Sequence, residues 1–476
     1  MPVGRRARGR CQVIADFLGR DEVSKYVGAL RERIASGALD EHAGAAASAI
    51  GRDPANAQAA LLAALPQEGA GEASSGGEHM NLPFFSRDPA VSLMQTSLEI
   101  EARKADLVHE VKPGGLRKFF VGVFEELKEI LPERFSTKDP EWVTRIGEAT
   151  LDRLAKGNHP FNKTPAEYVI DRDDARVVIV GDWGSGLVHA REVAGFMAEE
   201  VAEALAAGRP VHVIHLGDIY YSGDPEEIRR RCLADGLWPV TADQAGQGVT
   251  SWSLNGNHDM YGGGWGYFQT LLRDERFANQ HSPDGEPTSF FRIRTPSWDL
   301  VGLDTSWNAE VLSKGLRGEL VDPQNKVVAD WAAESERKVM LLSHHQFVSS
   351  FDLGDLGTVL PHKLEPLLRD NRITAWLWGH EHRCMGFKPA TGVAGVPFMR
   401  CIGHGGVPIP ASAAGGELPP PGLWQIPTAG DASGVFEEHD ASWNRFGFAV
   451  LDFDGAAARI RYRDDQGTEV LAEDLP

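Results

Sequence analysis

Hydrophobic and polar positions divide the chain into two textures. From Arg176 onward, short β-branched runs recur and end in Gly, Asp or His; they lie at 177–180, 211–216, 251–254, 289–293, 300–303, 339–342 and 373–378. Stretches with helical spacing separate several of them, at 187–207, after Asp224-Pro225, and from Asp322-Pro323 to Lys338. Alternation of this kind predicts an α/β domain whose sheet is covered by helices. Near the C-terminus, 446–453 and 458–462 flank Asp454-Gly455 and read as a hairpin.

Ahead of Arg176 the pattern is helical. Apolar residues at 23–39 and 55–65 follow helical spacing, the second stretch opened by Asp53-Pro54, and a Gly/Ala/Ser/Glu tract at 69–77 has the composition of a flexible linker. Met80 follows closely, so 1–79 reads as an appended helical extension or as sequence ahead of an alternative start. Within 80–170, Asp88-Pro89 and Asp139-Pro140 each place an acidic cap before a proline suited to a first helical turn. Between them Phe120, Val123, Phe124, Leu127 and Leu131 form an apolar stripe opposite a face of mixed charge, including Arg117, Glu125, Lys128 and Glu129. Without a basic bias on that face, a helical layer packed on the next domain is expected rather than a membrane-surface helix. The expected division is therefore 1–79, 80–170 and a catalytic domain at 171–476. Within the last, the Pro/Gly/Ala/Ser-rich stretch 407–444 reads as a long loop whose Trp424, Phe436 and Trp443 are candidates to cover the organic part of a ligand.

Composition narrows the function classes. The 476 residues are 42% hydrophobic and 24% charged, as in globular proteins. No run of about 18 apolar residues occurs. Asp16 and Arg20 interrupt the apolar stretch behind the N-terminal arginines, so no secretory signal is read. The net charge of −20 argues against a broad nucleic-acid surface. It would also repel phosphorylated substrates unless bound cations reverse the local field. Cys11, Cys232, Cys384 and Cys401 show no metal-binding spacing, and so few thiols in a long chain point to the cytoplasm.

Candidate chemistry gathers at the C-terminal ends of five expected strands. There stand Gly181-Asp182-Trp183-Gly184, Gly217-Asp218-Ile219-Tyr220-Tyr221, Gly256-Asn257-His258-Asp259, Ser343-His344-His345 and Gly379-His380-Glu381-His382. Any one of these reads equally well as a turn, a helix cap or a core histidine. Five in order, each at a strand end where open α/β sheets bind ligands, point to one shared cleft. Glycine precedes the polar residue in four blocks, as expected where the backbone turns sharply to aim a side chain.

These blocks resemble the calcineurin-like metallophosphoesterases, and within them the purple acid phosphatase pattern of GDxG, GDxxY, GNH followed by D or E, a VxxH-like block and GHxH. The resemblance covers about 175–465; the fourth block departs only in carrying Leu341 for Val. It implies a sandwich of two mixed β-sheets flanked by helices. It implies a binuclear centre in which Asp182, Tyr221 and His382 bind one metal, Asn257, His344 and His380 bind a second, and Asp218 bridges. Gly184 stands where most of the superfamily has histidine, and the phenolate of Tyr221, or of its neighbour Tyr220, is expected to replace it. Carboxylate and phenolate suit Fe(III), with a charge-transfer colour; imidazole and amide oxygen suit a divalent Zn, Fe or Mn ion. The implied activity is hydrolysis of small phosphomonoesters by metal-activated water or hydroxide, with His258 facing the substrate as acid or phosphoryl ligand, and His345 and His404 as further substrate-side candidates. Asp259 and Asp304 read as orienting residues. The alternatives are a phosphodiesterase on the same metals and a signalling or defence effector whose protein partner binds 1–79.

Overall fold

The computed structural model describes residues 156–309, 318–334, 336–349, 360, 363–389, 395–407, 422–426 and 445–476, together with Ala149 and Arg153. The helices expected at 1–79 and through most of 80–148 lie outside these residues, as do Phe436 and Trp443.

The strands run β1 (Ala166–Val169), β2 (Arg176–Val180), β3 (Val211–His215), β4 (Thr250–Ser253), β5 (Phe291–Arg294), β6 (Trp298–Leu303), β7 (Lys338–Ser343), β8 (Ile373–Trp378), β9 (Cys384–Phe387), β10 (Phe398–Ile402), β11 (Gly422–Gln425), β12 (Gly447–Asp454), β13 (Ala457–Asp464) and β14 (Glu469–Asp474). They form two mixed sheets, ordered β1-β5-β6-β7-β8-β10-β9-β11 and β14-β13-β12-β2-β3-β4. Parallel pairing joins β2 to β3, β3 to β4, β6 to β7 and β7 to β8. Parallel neighbours point their carboxyl ends the same way, so the chemistry-bearing loops of each sheet open on one edge.

Side-chain alternation explains the layering. In β2, Val177 and Ile179 join a core with Leu300, Met340, Leu342 and Leu377 of the other sheet. Val178 and Val180 face the opposite way, onto Val193, Ala194, Met197 and Val201 of α1 (Val188–Ala206). The second sheet repeats this arrangement: Val301, Leu303, Leu341 and Trp376 pack against Val328 and Trp331 on its outer face. Every strand of the centre is buried on both sides, which is why the sequence shows continuous apolar runs instead of alternation. The result is a sandwich of two mixed sheets flanked by helices, the architecture the motif resemblance implies. Among the described residues no helix is long and apolar enough to cross a membrane.

Three local findings refine the sequence reading. The sheet begins at Ala166, ahead of the domain start expected at 171. The loop expected over 407–444 contains β11, and Trp424 packs on the sheet instead of covering a ligand. Its ring lies 5.2 Å from Tyr462 and its indole N–H donates to Glu473 at 3.2 Å. A Cβ at Gly386 would meet that ring at 2.4 Å, so a bare glycine on β9 makes the seat for the indole. The C-terminal hairpin is extended by β14, a strand with exposed ends whose Val470 and Leu471 pack on the core.

Candidate metal centre

Five loops converge where the two sheets share a rim: those after β2, β3 and β4 of one sheet and after β7 and β8 of the other. Backbone bonds lock them together. The Asp182 amide donates to the Gly217 carbonyl at 3.0 Å, and the Gly379 amide to the His344 carbonyl at 3.1 Å. The His380 amide reaches across the sheets to Asp182 Oδ2 at 2.7 Å. Asp182, Asp218, His380 and His382 all have positive φ, between 51° and 72°. Glycines beside them provide room more than rotation: a Cβ at Gly256 would lie 1.9 Å from Asp218 Oδ1, and one at Gly379 would lie 2.7 Å from Asp182 Oδ2.

Two groups of donors form there. Ligand atoms of Asp218, His344 and His380 lie within 4.8 Å of one another, and so do those of Asp182, Asp218 and His382. Asp218 belongs to both. In the first group His344 donates from Nδ1 to the Leu216 carbonyl at 2.9 Å, which leaves Nε2 turned inward. That atom lies 2.9 Å from Asn257 Oδ1, 3.1 Å from His380 Nδ1 and 3.4 Å from Asp218 Oδ2. Tyr261 accepts from the Asn257 amide nitrogen at 2.6 Å, which aims the Asn257 oxygen at the centre.

In the second group the tyrosine is Tyr220, not the expected Tyr221. The Tyr220 hydroxyl lies 2.9 Å from Asp182 Oδ1, 3.1 Å from Asp218 Oδ2 and 2.7 Å from His382 Nε2. The Tyr221 ring packs instead beneath the Arg231 guanidinium, 5.1 Å from its centroid. The Tyr221 amide donates to Glu227 Oε1 at 2.7 Å and its carbonyl accepts from His258. Motif spacing favours the later tyrosine; these tertiary contacts select the earlier one.

The electrostatics fit a cationic occupant. Asp182 and Asp218 are fully buried side by side, an arrangement costly for carboxylates unless positive charge offsets it. Burial opposes charge on His344, but the adjacent Asp218 outweighs it and pushes the imidazole up to about 9. Burial likewise opposes ionisation of Asp218, yet His344 and His258 hold it below the usual carboxylate range. Burial, then Asp182 and Asp218, push the Tyr220 hydroxyl well above its ordinary value. Imidazoles, carboxylates, an amide oxygen and a phenol around one shared carboxylate are suitable donors for two metal ions.

The remaining candidates take different places. His258 donates from Nδ1 to the Tyr221 carbonyl at 2.5 Å, and its Nε2 lies 3.9 Å from Asp218 Oδ2, on the rim of the centre. His345 is buried beside it, with its ring 4.7 Å from that of His380 and Nδ1 3.1 Å from Thr305 Oγ1. It therefore backs His380, a member of the first donor group. His404 is not brought to the cleft. Its carbonyl accepts from the Gly447 amide at 2.9 Å, and its ring packs by Gly447, within the field of Asp465. Asp259 orients: its carboxylate accepts the amides of Asp218, Ile219 and Gly256 at 2.9, 3.1 and 2.7 Å. Asp304 accepts the Ser306 and Trp307 amides, as a turn residue does.

Residues 175–384 match the calcineurin-like phosphoesterase family and form a domain of that family. With its fold and centre, this places the domain among phosphoester hydrolases. Tartrate-resistant acid phosphatase type 5 of Oryctolagus cuniculus is 24% identical over 322 residues, spanning 63% of this chain and 90% of the relative. The Homo sapiens protein of the same name is 25% identical over 237 residues, spanning 46% of this chain and 70% of its own length. These similarities accord with the purple acid phosphatase resemblance of the motifs. Among solved structures, PhoD is 12% identical with a TM-score of 0.41, covering 64% of this chain and 69% of that one. The GAP50 anchor of the Plasmodium inner membrane complex is 14% identical with a TM-score of 0.40, covering 64% and 89%.

Proposed function

We propose that the chain is a binuclear metal-dependent phosphomonoesterase. The observation that carries this reading is Asp218, whose carboxylate belongs to two donor groups at once. Asp182, His382 and the Tyr220 hydroxyl would hold one ion, Fe(III) by the hardness of the oxygen donors. Asn257, His344 and His380 would hold a divalent partner. When bound, such a pair supplies a water of lowered pKa and a positive clamp for phosphoryl oxygens.

The chain's own residues supply orientation and a proton site. With Nδ1 committed to the Tyr221 carbonyl, His258 presents Nε2 to a phosphoryl or leaving oxygen, where a proton can be held and delivered. His344 is fixed in one tautomer by the Leu216 carbonyl, and Asn257 in one amide orientation by Tyr261. Bound cations would offset the acidic charge of the chain at this centre, so a small anionic ester is the substrate class proposed. A reducing cytoplasm is the proposed setting, consistent with the buried free thiols of Cys232, Cys384 and Cys401.

The test is metal analysis of the purified protein, with p-nitrophenyl phosphate and bis(p-nitrophenyl) phosphate assayed side by side. Two metals per chain and faster turnover of the monoester are expected. Faster turnover of the diester would move the function to phosphodiester hydrolysis. Turnover of neither, with two metals bound, would overturn a hydrolytic role on such esters.

A further inference from the structure

We propose that Arg231 and Glu227 are positioning residues that clamp the Tyr220–Tyr221 turn, and so set the Tyr220 hydroxyl and the His258 imidazole together. This rests on the reading of Tyr220 as a metal ligand. Both residues lie outside the five motif blocks. Glu227 ends the first turn of α2 (Pro225–Ile228), which Asp224 caps, and Arg231 lies one turn further on, where the helix widens over Arg229–Leu233.

The clamp grips the turn from both ends. Arg231 Nη1 donates to the Tyr220 carbonyl at 2.8 Å, and its guanidinium lies over the Tyr221 ring. Glu227 accepts the amides of Tyr221, Ser222 and Asp224 at 2.7, 2.9 and 3.2 Å, and the Ser222 hydroxyl at 3.1 Å. One carboxylate thus gathers four donors of the turn. Arg231 and Glu227 are 6% and 4% exposed, so both charges have been taken out of water. Burial of this kind is costly and marks groups held for geometry.

Two functional atoms depend on that geometry. The Tyr220 side chain leaves the backbone at the residue whose carbonyl Arg231 holds, and its hydroxyl meets Asp182, Asp218 and His382. The carbonyl of Tyr221, next along, receives the Nδ1 proton of His258. A rotation of either peptide therefore moves a metal-side oxygen and a substrate-side imidazole at once. Misplacement near 1 Å is enough to cost about 10²-fold in rate.

The experiment uses the full chain, loaded with ferric iron and zinc, and compares wild type with Tyr220→Phe, Arg231→Gln and Arg231→Lys. Readouts are the visible phenolate-to-iron band, metals per chain, and kcat and KM on p-nitrophenyl phosphate. Tyr220→Phe is expected to bleach the band. Arg231→Gln is expected to shift or weaken it with two metals retained, and to lower kcat about tenfold or more while KM changes little. Arg231→Lys, which keeps the charge and a donor, should recover part of both. If Tyr220→Phe bleaches the band while Arg231→Gln matches wild type in band and kcat, the clamp is overturned and the tyrosine reading stands. If wild type is colourless, or Tyr220→Phe keeps the colour, the ligand reading fails and the clamp fails with it. Should Arg231→Gln not fold, Glu227→Gln decides: a shifted or weakened band with two metals and a lowered kcat supports the clamp, and a band and kcat matching wild type overturn it.

Discussion

Replacing Gly256 with alanine tests how tightly the centre is packed. An added Cβ would lie 1.9 Å from Asp218 Oδ1, 2.5 Å from the Asp218 amide nitrogen and 2.6 Å from its carboxyl carbon. Ordinary contact begins near 3.4 Å, so the overlap is about 1.5 Å and includes backbone. Asp218 cannot simply rotate away. Its Oδ1 accepts the His258 amide at 2.9 Å, and its own amide is held by Asp259 at 2.9 Å. The other escape moves α3 (Asn257–Tyr261), for which Gly256 is the cap, and that carries Asn257 and His258 with it. Either way a shared carboxylate and its partners separate by about 1 Å. We predict a stability loss of about 1–3 kcal/mol, as for overpacking in a core. We also predict a fall in kcat of about 10²-fold, equivalent to about 2.7 kcal/mol, with fewer than two metals per chain. Gly246→Ala is the control, because nothing lies within 4 Å of that position. Urea unfolding, metal analysis and p-nitrophenyl phosphate turnover measure the three effects. Two metals and a kcat within twofold of wild type in Gly256→Ala would refute the packing argument.

Asp218→Asn keeps shape but removes the shared charge; we predict loss of two-metal binding and a drop in kcat of about 10²–10³-fold, with the circular dichroism spectrum unchanged. Normal stoichiometry and turnover would remove Asp218 from the bridge. Gly195→Ala, in the middle of α1 with nothing within 4 Å of the new methyl, should stabilise the protein by about 0.5–1 kcal/mol; a lower urea midpoint would show hidden crowding. His212 is fully buried with Nε2 lacking a hydrogen-bond partner among the described residues, and burial lowers its pKa to about 4. A depressed imidazole leaves stability intact above its unfolded pKa near 6.5 and removes it as pH falls toward 4. We predict a loss of about 2 kcal/mol between pH 7 and pH 5 from this residue, and a shallower loss in His212→Asn. Equal acid sensitivity of the two proteins would place the titrating group elsewhere.

What the sequence revealed depended on whether the signal was local. Continuous apolar runs such as 177–180 and 373–378 became strands because both faces of each are buried, and glycine-flanked Asp and His residues followed at their ends. β9, β11 and β14 carry no such signal. Their apolar runs are only two or three residues long, broken by Gly386 in β9, and tertiary pairing defines them. The tyrosine that reaches the donor cluster shows the same limit at the scale of one residue. Both Tyr220 and Tyr221 sit at the end of β3, and the choice depends on Arg231 and Glu227, which approach from a helix with no motif of its own. His404 was misplaced for a related reason: the glycines around it suggested a rim, but Gly403 and Gly405 press their backbone against Asp182 and Gly181 while the imidazole turns toward the hairpin.

The left-handed residues connect the fold to its chemistry. Four of the residues that would bind metal, Asp182, Asp218, His380 and His382, adopt positive φ, a region that costs most side chains about 1–2 kcal/mol each. Asp and His are among the types that enter it most readily, so the side chains suited to a hard cation are also those the strand-end backbone tolerates. The surrounding bonds hold them there. The Asp182 amide is taken by Gly217, the Asp218 amide by Asp259 and the His380 amide by Asp182. Each bond ties one loop to another, and the last crosses between the sheets. A sheet buried on both faces cannot relax to release these loops without breaking its core. We therefore predict a centre that is rigid before any cation binds, with the repulsion between Asp182 and Asp218 left for cations to relieve. Metal binding should then appear mainly as a gain in stability with little change in backbone. Hydrogen exchange at the amides of Asp182, Asp218 and His380 would measure it, with strong protection expected in the metal-free protein as well as in the loaded one. Rapid exchange without metal would show instead that the cations assemble the loops.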